Sequence, residues 1–163
     1  MTALSGREPD PIVGIGDVLD LTFSLDTSIY ADNDVLAAPQ ELTGAFRADG
    51  ASLTLESIVL LDEDDQAQEI DIVFMNVTGS LGAENAAAAP TDAVARTIIG
   101  IVNIATTDYS DLANSQLATK RSLGLRLKAA GGSTSLWVGA ILRSGTPTYT
   151  ASGIRLKLGV KQD

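Results

Sequence analysis

The chain of 163 residues contains no cysteine and no histidine. The first absence removes disulfides and thiol chemistry. The second removes the commonest general base and the commonest transition-metal ligand. Aromatics are scarce, at one Trp, three Tyr and three Phe, so a core has to be built from Leu, Ile, Val and Ala. No apolar run approaches the roughly 20 residues that span a bilayer, and Met1–Arg7 lacks the basic-then-apolar order of a targeting segment. The expectation is a soluble protein without cofactor. Bases are nearly missing from most of the chain. Residues 1–111 hold Arg7, Arg47 and Arg96 against 20 of the 21 acids, whereas 112–163 hold eight bases and Asp163 as their only acid. At a formal net charge of −10, such a chain should be repelled by nucleic acid and by anionic membranes. The asymmetry fits basic strands pairing with acidic ones inside one fold. A docking role for the basic end is the second expectation.

What the sequence has is alternation. Ile154, Leu156, Leu158 and Val160 fall on one face of a strand, with Arg155 and Lys157 on the other. The preceding run, Leu136–Arg143, is almost wholly apolar and suits a strand covered on both faces. The two read as a long-looped hairpin around Ser144–Ser152 that closes the fold. Leu19, Leu21, Phe23 and Leu25 alternate in the same way. Val35–Ala38 meets Pro39, which is tolerated on an edge strand. Ser52–Leu61 and Ile70–Met75 read as a second hairpin with Asp62–Gln66 at its tip. Val77–Arg96 is a long excursion carrying one short helix capped by Thr91. Thr97–Ile104 reads as a buried strand. Asp108–Lys120 reads as polar loop with one helical turn at Leu112–Leu117, and Ser122–Lys128 as a strand. The sum is an all-β, single-domain antiparallel sandwich, jelly-roll-like, of about eight strands over residues 17–163. Residues 1–16 form an extended N-terminal arm, because Gly6, Pro9, Pro11, Gly14 and Gly16 break any ladder or helix.

Few stretches suggest chemistry. Asp62–Asp65 is the metal candidate, but a calcium loop of the EF-hand kind needs glycine at position six and glutamate at twelve. Ala67 and Val73 stand there, so a solvated hairpin tip with at most weak cation binding is expected. Asp26-Thr27-Ser28 after an apolar strand, with Ile98-Ile99-Gly100 further on, is similar to the signature of retroviral aspartic proteases. Ser28 replaces the family's glycine, however, and a strand follows Gly100 where a helix should begin. A dimer sharing one proton between two copies of Asp26 is the remote alternative. No Ser-x-x-Lys pair and no phosphate-binding Gly-x-x-x-x-Gly-Lys loop occurs. Trp137 reads as core. Tyr149, in a loop, reads as exposed and available for contact.

The stretches Leu25–Ala37, Ser57–Asp64 and Leu142–Gly159 resemble small accessory structural proteins of tailed bacteriophages. The resemblance implies a capsid decoration, or cement, protein: a compact β-fold, commonly a homotrimer, that sits on the outer shell and clamps the major capsid protein against the pressure of packaged DNA. It implies virion localisation after synthesis in the bacterial cytoplasm, self-association and no catalysis. A phage tail or fibre component, or a glycan-binding β-module, is the alternative. The residues expected at an interface are Pro9 and Pro11 of the arm, and Arg143, Thr146, Pro147, Tyr149 and Arg155 of the closing segment. Tyrosine and arginine are enriched at the energetic centres of interfaces.

Overall fold

A computed structural model describes residues 15–163. The expected arm residues Pro9 and Pro11 lie outside that range. Ten strands run β1 (Ile15–Thr22), β2 (Val35–Leu42), β3 (Ser52–Asp62), β4 (Ile70–Met75), β5 (Ile98–Ile104), β6 (Tyr109–Asp111), β7 (Gln116–Lys120), β8 (Leu125–Lys128), β9 (Leu136–Leu142) and β10 (Ile154–Gln162), with one short helix, α1 (Asp92–Ala95), between β4 and β5. One sheet has the order β1-β10-β3-β7-β6, with β8 also on β3, and the other β2-β9-β4-β5. All pairs are antiparallel. β7 and β8 lie end to end along the same edge of β3. Left-handed φ values at Ser122 and Gly124 kink the chain between them. Counted as one broken strand, they complete the first-eighth-third-sixth and second-seventh-fourth-fifth order of an eight-strand jelly roll. β6 adds a short outer strand.

The alternation of β10 has its cause in this arrangement. Ile154, Leu156, Leu158 and Val160 are buried, while Arg155, Lys157 and Lys161 are exposed. They join Leu53, Leu55, Ile58 and Leu60 of β3, Phe74 of β4 and Val138 of β9 in one core between the sheets. The four-stranded sheet is covered on its outer side as well. Val35, Val73, Met75, Leu81 and Ile141 form a second buried cluster, against which Val94 and Trp137 pack. The long Val77–Arg96 excursion supplies Leu81 and Val94. This second cover explains why β4 and β9 are apolar on both faces while β10 is not. Its helix is capped as the sequence suggests, with the Val94 amide donating to Thr91 Oγ1 at 3.3 Å. Pro39 lies in β2 on a sheet edge, beside two register shifts.

Several expectations need correction. Neither anticipated hairpin exists: β3 and β4 belong to different sheets, and so do β9 and β10. Alternation reports that one face is buried, not which strand lies alongside. In a jelly roll the chain repeatedly crosses the roughly 10 Å between sheets. Ile15 and Gly16, assigned to the arm, pair with Gln162 and Lys161 in β1. The region read as loop with a helical turn at Leu112–Leu117 is a small β6–β7 hairpin, closed by the Leu112 amide on Ser115 O at 2.9 Å. The helical turn lies earlier, at Thr106–Asp108.

Candidate interaction surface

The three segments that carry the phage resemblance meet at one end of the sandwich. The Tyr30 amide donates to Pro147 O at 2.9 Å, Asn33 to Leu142 O at 3.0 Å, and Glu63 to Gly153 O at 2.8 Å. Asp64 Oδ2 accepts from both the amide and the hydroxyl of Thr150, at 2.9 and 3.1 Å. Ser144 Oγ accepts from the Glu69 amide at 3.0 Å and donates to Gln68 Oε1 at 3.1 Å. At Gly153 the chain approaches so closely that a Cβ would overlap the Asp64 carboxylate.

Asp62 organises the loop beneath. The Ile58, Leu60, Asp62 spacing carries it onto the inner face, where it is wholly buried. Its carboxylate accepts from the amides of Asp64, Gln66 and Ala67 at 3.0, 2.9 and 2.8 Å. Asp65 and Ala67 adopt left-handed φ values of 58° and 50° as the chain winds round it. Burial pushes the carboxyl above its ordinary range, and the three amides oppose that shift only in part. The expected solvated tip is therefore a scaffold. Among the described residues, no group of three or more Asp and Glu side chains could hold a metal ion.

Each expected site residue of the closing segment has a definite place. Arg143 is half-buried, with Nε on Asp71 Oδ2 and a terminal nitrogen on Asn33 Oδ1, both at 2.7 Å. Arg155 is exposed and pairs with Glu63 at 2.7 Å. Thr146 is exposed, and Pro147 is buried. Tyr149 overturns its expectation. It is 2% exposed and packs edge-to-face on Tyr30, with ring centroids 6.1 Å apart. Its hydroxyl has no hydrogen-bond partner among the described residues, and burial with Asp62 nearby drives the phenol far above its ordinary pKa. Tyr149 is thus a core residue and offers no ring to a partner. The signal was present in Pro147-Thr148-Tyr149-Thr150, whose burial alternates strand-fashion.

Asp26 is a turn residue. Its Oδ1 accepts from the Ser28 amide at 2.6 Å and from Asn85 Nδ2 at 3.1 Å. The bonds from Ser28 hold its carboxyl below the ordinary range. Ile98–Gly100 sits in β5, at the far edge of the four-stranded sheet from β2. The charge asymmetry of the sequence closes within the fold. Among the described residues, four of the five ion pairs join a base from 112–163 to an acid from 1–111: Lys120–Asp108, Arg143–Asp71, Arg155–Glu63 and Lys157–Asp20. Sequence reasoning missed one surface. Along β5 a cleft of about 350 Å³ opens between Ile101, Val102 and Asn103 on one side and Lys120, Leu123 and Leu125 on the other.

No protein-family model matches the sequence, and no curated protein does. Among the solved structures similar to the chain are virus capsids. The capsid of Ralstonia phage GP4 is 19% identical over 96% of this chain and 91% of that one, with a TM-score of 0.40. A Desmodium yellow mottle tymovirus chain is 11% identical over 96% and 85%, at 0.29. The VP2 subviral particle of infectious bursal disease virus is 10% identical over 95% and 38%, at 0.38. Likeness at this level decides neither function nor site.

Proposed function

We propose that the protein is a structural component of a bacteriophage virion. In this reading it is a decoration protein that binds the outer surface of the major capsid shell as a homo-oligomer, commonly a trimer in such proteins, and stiffens the shell against internal DNA pressure. One observation carries the reading. The three segments that resemble phage accessory proteins, far apart in sequence, interlock at one end of a jelly roll, so the resemblance is to a folded unit and not to scattered strings. The chemistry agrees. The chain has neither His nor Cys, the Asp26 carboxyl is committed to a turn, and Asp62 is sealed in a loop. These features support a non-enzymatic role. The glycan-binding alternative has little to stand on: Phe23, Tyr30, Phe46, Phe74 and Tyr149 are buried, while Tyr109 and Trp137 are half-buried, leaving no open aromatic platform. Purified protein incubated with shells assembled without it tests the proposal. It should co-sediment at a fixed ratio and raise the temperature at which the shells release DNA. Protein that stays in the supernatant at micromolar concentration would remove the shell role.

A further inference from the structure

Sheet edges are templates for pairing, and proteins blunt them with charge, proline, bulges or shortness. Among the described residues four edges are blunted. β1 carries Asp17 and Asp20, β2 carries Pro39 and register shifts, and β6 and β8 have three and four residues. β5 is the exception. Its seven residues, Ile98-Ile99-Gly100-Ile101-Val102-Asn103-Ile104, include no charge and no proline, and Ile101 is 50% exposed. At Gly100 the two sheets close up, since a Cβ there would stand 2.7 Å from Leu125. Past Gly100 they part to form the 350 Å³ cleft. The opposite flank is stitched shut: Gln40 of β2 accepts from the Ser24 amide at 2.7 Å and donates to Thr22 O at 3.0 Å.

We propose that the β5 cleft receives the segment Glu8–Gly14 of a second copy of this chain, added antiparallel or parallel to β5 as an extra strand. The inference rests on the reading of the protein as a self-associating shell component. Three features select this occupant. Glu8-Pro9-Asp10-Pro11-Ile12-Val13-Gly14 leads directly into β1. In a strand, amides alternate sides, so Pro9 and Pro11 both turn their missing N–H groups to one edge. The amides of Glu8, Asp10, Ile12 and Gly14 are left for β5. The same alternation gathers Pro9, Pro11 and Val13 into an apolar face that suits Leu123 and Leu125. β1 and β5 lie on opposite flanks, so the contact runs head to tail. A heterologous contact of that kind closes into a ring when the rotation permits, as a trimer requires.

The natural absence of cysteine makes the test clean. Full-length Ile12→Cys protein, mixed with full-length Ile101→Cys or Asn103→Cys protein under mild oxidation, should give covalent dimers. No dimer from either mixture, or a disulfide formed only within the chain of the Ile12→Cys/Ile101→Cys double variant, overturns the proposal. Ile101→Arg should weaken self-association at least tenfold by light scattering while leaving the melting temperature unchanged. If Ile101→Arg protein assembles and binds shells like the parent, the β5 cleft is not the contact, though the shell reading stands. A parent protein that is monomeric and ignores shells brings down both.

Discussion

The Asp62–Gln68 and Arg143–Gly153 end of the molecule and the β5 flank are opposites. At the closing end side chains and backbone are tied together: Asp62 holds three amides, Asp64 holds Thr150, and the rings of Tyr30 and Tyr149 fill the space beneath. The loop looked like a binding surface by composition, and it is a clasp. The β5 flank has the reverse character. Its strand carries no charge and lies open at a sheet edge, with Lys120, Leu123 and Leu125 across the cleft. Composition identifies loops that could bind; the surface with unspent hydrogen-bonding and apolar capacity is a plain run of Ile, Gly and Val.

Changes at the clasp should cost stability, and changes at the flank should not. The largest effect is expected for Tyr149→Ala, which empties a fully packed site and should cost about 3–5 kcal/mol in urea unfolding. A loss below about 1 kcal/mol would mean the ring is not core. Asp62→Ala strips the acceptor from three part-buried amides and should cost on the order of 3 kcal/mol. Its pH dependence has a definite sign. The folded-state pKa is raised, so the fold binds this proton more tightly than the unfolded chain does. Asp62 therefore favours folding most at low pH, and that contribution declines as pH rises from the ordinary carboxylate value of 3.8 through the raised one. The stability difference between the parent and Asp62→Asn should shrink over that interval. A difference that widens would contradict the raised pKa.

Smaller effects sharpen the contrast. Tyr149→Phe deletes an unpartnered buried hydroxyl and should be neutral or stabilise by up to about 1 kcal/mol. A clear loss would show that the hydroxyl has a partner. The smallest change is expected for Arg155→Ala. Its pair with Glu63 is exposed on both sides, and such pairs contribute about 0–1 kcal/mol. Shell binding that falls sharply in Arg155→Ala without loss of stability would return the closing segment to the interface.

Local patterns in the sequence were legible, and long-range choices were not. The inward Leu and Ile of β10, Pro39 on an edge and the Thr91 cap each depend on neighbours a few residues away. The partner of each strand depends on the whole chain, so β9 and β10 read as a hairpin although they face each other across the core. Asp62 was hidden for a different reason. It shares the inward phase of Ile58 and Leu60, but a cluster of four acids suggests solvent. The β5 cleft left no mark in the sequence because it arises where two sheets diverge, beyond Gly100.

Hydrogen–deuterium exchange of the full-length protein, measured free and bound to shells, tests the contrast most directly. The account predicts slowed exchange across Ile98–Ile104 on assembly, with the already protected Asp62–Gln68 and Ser144–Ser152 segments unchanged. Protection gained at Ser144–Ser152 with β5 unaffected would contradict it.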